Sequence, residues 1–246
     1  MRHRHTEPVS QLGDVIARGR DTEIVDHGPG LVLRRPMVPR SMAQEAAVMR
    51  WVHDQGYPCP AAVDVADDGL VMARIEGVSM LDDLASHPHR LRRHATLLAD
   101  LHGWLHRLSP PDDSSSVTLP SPFGAGTSIV HGDLHPGNVL LTTEGPVVID
   151  WTDASVGPAG ADLAVTWLLL AAANPPTSAV ERLAVLGLRR CFVAAFLRAA
   201  DRDAAARCLA VALEHRRRDP NLSAGELASM SRVVDRHGRR SGPRRG

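Results

Sequence analysis

Ile129-Val-His-Gly-Asp-Leu-His-Pro-Gly-Asn-Val-Leu-Leu141, followed by Pro146-Val-Val-Ile-Asp-Trp151, is the stretch on which the reading of this chain turns. Val139-Leu-Leu141 has the apolar, β-branched character of a short strand. Thr142-Thr-Glu-Gly-Pro146 reads as a turn, and Val147-Val-Ile149 as the returning strand. An antiparallel hairpin brings its first and last residues side by side. Asn138 precedes the first strand and Asp150 follows the second, so both are expected at the hairpin's open end. Asp133 lies on the loop that enters that same end, and Pro136-Gly137 turns the loop sharply.

An amide oxygen and a carboxylate placed together are hard oxygen ligands, suited to a Mg²⁺ shared with phosphates. His-x-Asp, an Asn five residues after the Asp, and a second Asp closing the next apolar run form the order in which kinases arrange these groups. The stretches His131-Gly-Asp-Leu-His-Pro-Gly-Asn138, Ile149-Asp-Trp151 and Gly160-Ala-Asp-Leu-Ala164 together resemble the aminoglycoside phosphotransferase family of kinase-like small-molecule phosphotransferases. The resemblance implies that Asp133 is the catalytic base. It implies that Asn138 and Asp150 bind the metal, and that Asp162, with His131, braces the catalytic loop. ATP and Mg²⁺ are the implied cofactors, and a hydroxyl of a small molecule is the implied acceptor.

Outward from this stretch, the first seventy or so residues alternate short apolar runs with turns. Asp14-Val-Ile-Ala17, Glu23-Ile-Val25 and Leu31-Val-Leu33 read as strands. Ser41 and Gln44 predict a capping box for a helix that Gly56 can end. Ala62-Val-Asp-Val65 and Leu70-Val-Met-Ala73 read as two more strands. Beyond Arg74-Ile-Glu-Gly77 the pattern turns helical. Pro88–Leu108 carries Leu91, Ala95, Leu98, Leu101 and Leu105 near a 3.6 period. Residues 109–128 read as a loop, and helices are expected near 160–173, 178–200, 203–217 and 224–236. The order β-β-β-α-β-β, by resemblance, is that of a kinase small lobe. The expected fold is therefore α+β and bilobal, protein-kinase-like, with a small antiparallel β lobe over residues 1–74. A larger, mainly helical lobe would cover 75–238, with a basic disordered tail at 239–246.

The chain contains no lysine; every basic side chain other than His is Arg. A kinase small lobe uses a strand-borne Lys paired with the phosphates and a helix Glu. Here Val32-Leu-Arg34-Arg35 occupies that strand and Glu45 the helix. Arg34 is the first choice for the phosphate contact and Arg35 the alternative, since strand alternation lets only one face the cleft. A guanidinium can grip phosphate and carboxylate in a bidentate manner. By resemblance, Met72-Ala-Arg74 is the hinge whose backbone would bond adenine. The single-glycine turn Ala17-Arg-Gly-Arg-Asp-Thr22 would cover the phosphates. Asp153 falls where an extra acid could help place metal or substrate, and Asp162 could simply cap its apolar helix.

Formal charge balances, which implies no global field for nucleic acid or membrane. Three scattered cysteines make neither a disulfide framework nor a zinc site, and suit a reducing cytosol. The N-terminus lacks the apolar core of a signal peptide, and the apolar run Leu163–Ala173 is too short to span a bilayer. The expected location is cytoplasmic. The Ala, Arg, Gly and Pro richness suggests a GC-rich bacterial source. His102 and His106 stand one helical turn apart but without the Glu of a zinc hydrolase helix, and read as packing or surface residues. His87, His89 and His94 read as solvated. From Ala159 onward Arg outnumbers Asp plus Glu, which tilts the expected acceptor towards a neutral or anionic molecule. The alternative class is a nucleotide-binding pseudokinase or regulatory module.

Overall fold

The computed structural model describes residues 13–19, 21–111, 117, 119–172 and 179–238. The basic tail at 239–246 and Arg20 of the phosphate-covering turn lie outside them.

Five strands form one antiparallel sheet in the order β1-β2-β3-β5-β4. They are β1 Val15–Arg18, β2 Thr22–Asp26, β3 Leu31–Pro36, β4 Ala62–Ala66 and β5 Gly69–Ala73. Helix α1, Ala43–Asp54, packs Ala46, Val48, Met49 and Val52 inward. The expected capping box at Ser41 does not form. The cap residue is Met42, which makes no side-chain cap bond, and Ser41 Oγ reaches only the Ala43 N–H at 3.3 Å. Met42 is instead buried in the core.

The linker to the second lobe passes so close to the next sheet that a Cβ at Gly77 would lie 2.6 Å from the Leu141 carbonyl oxygen. Two elements there escaped the sequence reading: β6 Val78–Ser79 and helix α2, Met80–Ser86, whose N-cap Ser79 accepts from the Asp82 N–H. Both are shorter than the window of about 11–18 residues over which apolar periodicity is read. The long helix expected from Pro88 is a 3₁₀ turn, Pro88–Arg90, followed by α3, Leu91–Leu105. Strand β7, Ser128–Val130, pairs with β10, Ser155–Gly157. Strand β8, Val139–Leu141, lies between β6 and β9, Pro146–Val148. Helices α4 Ala159–Ala172, α5 Ala179–Ala199, α6 Arg202–Arg216 and α7 Ala224–His237 complete the described chain. The result is α+β, a small antiparallel lobe joined to a mainly helical one.

One continuous apolar core runs through both lobes. Tyr57, just past α1, joins them: its hydroxyl donates to the Leu101 carbonyl at 3.1 Å, and its ring meets Trp151 edge-on at 5.6 Å. The Val148 N–H also donates to the Pro58 carbonyl at 2.8 Å. The hairpin β8–β9 is therefore tied directly to the small lobe.

Candidate active site

The hairpin's open end is closed by one further bond, from the Ile149 N–H to the Asn138 carbonyl at 3.0 Å. Asn138 and Asp150 thus leave the ladder side by side. Asp150 carries φ +65, the only positive value outside glycine among the described residues. Such backbone strain persists where surrounding contacts over-determine it.

The loop carrying Asp133 is held from behind by Asp162, which is fully buried. Asp162 Oδ2 accepts from the His131 N–H at 3.1 Å, and Oδ1 from the Gly132 N–H at 2.9 Å. His106 Nε2 stands 2.9 Å from Oδ2. Burial opposes the Asp162 charge, but the His106 hydrogen bond and the neighbouring His102, His106 and His131 prevail and hold the carboxyl well below its ordinary range. Asp162 lies inside the first turn of α4 and does not cap it; its carboxylate serves the loop's N–H groups. Gly132 has φ +77, and a Cβ there would come within 2.6 Å of the Asp153 carbonyl oxygen. The glycine lets the loop pass under the segment after β9.

His131 is buried against the Trp151 ring at 4.8 Å. Its Nε2 lies 3.1 Å from the Ile149 carbonyl, and the Asp133 N–H donates to Nδ1 at 3.3 Å. One N–H donor and one acceptor make a neutral imidazole, and burial pushes its pKa down in agreement. Both His102 ring nitrogens are likewise taken up, 2.8 Å from the Leu98 carbonyl and 2.9 Å from Thr166 Oγ1, and His106 Nε2 binds Asp162. His94, expected in solvent, is buried at 2.6 Å from Asp83 on α2. An element absent from the sequence reading thus explains its position.

Asn138 Nδ2 donates to the Asp133 carbonyl at 2.9 Å and to Oδ2 at 3.2 Å. This fixes the amide with Oδ1 as its remaining acceptor. Asp150 Oδ1 accepts from Arg34 Nη2 at 2.6 Å and from Thr152 at 3.0 Å, and Oδ2 has no partner among the described residues. An amide oxygen and a carboxylate oxygen at adjoining positions fit a hard divalent cation that takes its other ligands from phosphates and water. Among the described residues no three His, Cys, Asp or Glu side chains gather as a metal site.

Arg34 and Arg35 separate as strand alternation requires. Arg34 is buried, pairs with Glu45 of α1 and reaches Asp150. Arg35 pairs with Glu23, directly opposite on β2, at 2.5 Å. Thr152, which sequence reasoning missed, sits among these charges, its hydroxyl oxygen also 3.1 Å from Glu45 Oε2. Burial resists the Asp150 charge, yet Arg34 first, with His131 and Thr152, holds its carboxyl below the ordinary range. Met72 and Arg74 are not brought to this cluster. Met72 lies in the core, pairing with Val32 and Ala62. The Arg74 N–H is bonded to Gly30 at 2.9 Å, and its side chain meets Asp26 at 3.3 Å beside a cavity of about 520 Å³.

The other residue missed is Arg216, at the end of α6 and buried. Its Nη1 lies 3.3 Å from Asp133 Oδ1 and 4.0 Å from Asp153, and Nη2 donates to Asp219 at 2.7 Å. In the sequence it opens the run Arg216-Arg-Arg218, and nothing local separates it from its solvated neighbours. Burial raises the Asp133 carboxyl to about 7; Arg216 opposes the rise, Asp153 and Asp150 add to it, and the Asn138 hydrogen bond opposes it. An acid poised near neutrality beside an open loop is suited to general-base work.

A family model described as APH, phosphotransferase enzyme family, matches residues 20–122 and 117–206. No curated protein sequence matches the chain. Among solved structures, an ethanolamine kinase from Plasmodium vivax aligns at TM-score 0.55 and 8% identity, over 89% of this chain and 81% of that one. The ADP-bound aminoglycoside phosphotransferase APH(2'')-Ib aligns at 0.53 and 13%, over 94% and 95%. An aminoglycoside-3'-phosphotransferase of type VIII aligns at 0.51 and 20%, over 90% of each chain. At these identities the likeness is one of fold: the bilobal, protein-kinase-like arrangement.

Proposed function

The chain belongs to the APH phosphotransferase enzyme family, and on that premise we propose that it transfers the γ-phosphoryl group of ATP to a hydroxyl of a small molecule. The observation that carries this reading is the convergence of Asp133, Asn138, Asp150 and Arg34–Glu45 around one hairpin mouth. Asp133 orients the acceptor hydroxyl and takes its proton as that oxygen bonds to the γ-phosphorus and the bond from phosphorus to the β–γ bridging oxygen breaks, with ADP leaving. Asn138 and Asp150 would hold Mg²⁺, which would supply charge neutralisation at the phosphates. Arg34, braced by Glu45, contacts the nucleotide where other kinases use lysine. Asp162 and His131 keep the loop in register. Such chemistry is mostly positioning and charge stabilisation.

The charges beside Asp133 bear on the acceptor as well. The arginine excess of the C-terminal half lies largely elsewhere. Beside Asp133, among the described residues, the carboxylates of Asp133 itself and Asp153 face one guanidinium, that of Arg216. That balance favours a neutral or cationic alcohol over an anionic one. The test is ATP consumption over neutral sugars, hydroxy acids, ethanolamine, choline and aminoglycosides, with Asp133→Ala as control. Turnover with at least one alcohol is expected, and the variant should lose about 10²–10⁴-fold while still binding Mg·ATP. Transfer by the variant within about tenfold of the parent would remove Asp133 from the role.

One observation favours the second reading, a nucleotide-binding module without transfer. Arg34 already neutralises Asp150, the carboxylate assigned to the metal. Tight, Mg²⁺-independent nucleotide binding with no turnover on any alcohol would establish that reading.

A further inference from the structure

Between α5 and α7, with α4 as its floor, lies a cavity of about 860 Å³ that shares no lining residue with the cluster at Asp133. Its floor is apolar: Trp167 and Leu197 are buried there, and Val193 and Val233 half-buried. Its rim is basic. Arg190 and Arg198 come from α5, Arg202 from α6, and Arg232 and Arg236 from α7; all five are exposed. None of the five is paired with a carboxylate among the described residues; Arg232 meets only the Ser229 hydroxyl, at 2.8 Å. Among the described residues no Asp or Glu lines the cavity.

Some exposed arginines elsewhere meet a carboxylate, as Arg217 does with Glu214. With the half-buried Arg189, six arginines line the one concavity, and like charges so placed repel each other and raise the local potential. A guest with negative charge relieves that repulsion. An apolar floor of pocket size needs a guest with an apolar body, and the volume falls in the range of small-molecule sites.

We propose that this groove binds a small amphipathic anion, an apolar chain or ring system bearing a phosphate or carboxylate, with the apolar body on Trp167 and Val193 and the head group among the arginines. Guanidinium groups from two helices can grip such a head in bidentate fashion. The site is separate from phosphoryl transfer and does not depend on that reading.

The experiment uses the full chain and measures binding by calorimetry and tryptophan fluorescence. The probes are dodecyl phosphate and dodecanoate below their micelle concentrations. Dodecyl glucoside is the neutral control and inorganic phosphate the head-group control, and anionic phospholipid vesicles test a membrane source. Saturable binding of one anionic amphiphile per chain is expected, about tenfold or more tighter than the glucoside. Arg190→Glu with Arg232→Glu, both exposed and mid-helix, should weaken it about tenfold or more while leaving helicity and Mg·ATP affinity unchanged. Trp167→Phe should remove the fluorescence change but keep the calorimetric one. Equal affinity for the glucoside, equal affinity for inorganic phosphate, indifference to charge reversal, or binding to vesicles without binding to the monomeric amphiphile would each overturn the proposal.

Discussion

Replacing Arg34 with Ala should cost both stability and nucleotide affinity, and the two losses can be separated. Arg34 and Glu45 are nearly inaccessible, with side chains 6% and 3% exposed. Removing one partner of a buried pair leaves the other charged and unpaired, at about 3–5 kcal/mol. Glu45 would retain the Thr152 hydroxyl at 3.1 Å and the more distant Arg40 at 3.7 Å, which places the cost near the lower end. For a chain of this size about 3 kcal/mol corresponds to a Tm lower by roughly 6–12 °C. Replacing both partners, Arg34→Met with Glu45→Leu, removes the orphaned charge and should recover most of that loss. Nucleotide affinity should not recover. A charge-assisted contact to phosphate is worth about 1.5–3 kcal/mol, so Mg·ATP should bind roughly 10–100-fold more weakly in both variants. Arg35→Ala, which loses only the pair to Glu23 on the neighbouring strand, should change stability by less than about 1 kcal/mol and leave ATP binding near that of the parent. Scanning calorimetry and ATP titration across the four proteins test this. Parent-like ATP binding by Arg34→Ala, with loss in Arg35→Ala, would show that the wrong arginine had been assigned to the nucleotide. Restored ATP affinity in the double variant would show that Arg34 acts only through the fold.

Asn138→Ala and Asp150→Ala should each weaken Mg·ATP, Asp150 more because it carries charge; calorimetry with and without Mg²⁺ checks this, and an unchanged metal dependence in both would move the metal elsewhere. Arg216→Met should lower kcat about 10–100-fold through loss of its contact with Asp133, with little change in Mg·ATP affinity, and Arg216→Lys should recover part of the rate; kcat equal to the parent's would make the contact incidental. Acid should destabilise the protein before most carboxylates titrate. Burial pushes His102, His131 and His215 below their ordinary values, so the unfolded chain takes up protons first. Their contribution is complete above about pH 6.5 and is lost as pH falls below it. Urea midpoints at descending pH should fall, less steeply in His131→Asn, and a flat profile would contradict this reading.

Much of the site's geometry was legible because it depends on short-range order. A hairpin returns on itself within a few residues, so polar groups at Asn138 and Asp150 must meet wherever the hairpin packs. Alternation along β3 separates Arg34 from Arg35, and a helix following a strand readily offers a residue such as Glu45 to it. Helix patterns of 14 residues or more, as in α3 and α4, announce themselves through apolar spacing. Elements of two and seven residues, β6 and α2, carry no such period, and with α2 went the partner that buries His94. At Ser41 a good local capping pattern lost to the burial of Met42, a tertiary gain that the spacing of polar residues does not encode. Arg216 stands 83 residues from Asp133. Its place beside that carboxylate depends on how α6 lies on α4, where Gly160 lets the Ala204 backbone approach closely. The arginines of α5, α6 and α7 look alike in sequence. Only packing decides that Arg216 is buried among carboxylates while five others ring an apolar groove, because helix neighbours share a face locally but acquire their partners from elements far along the chain.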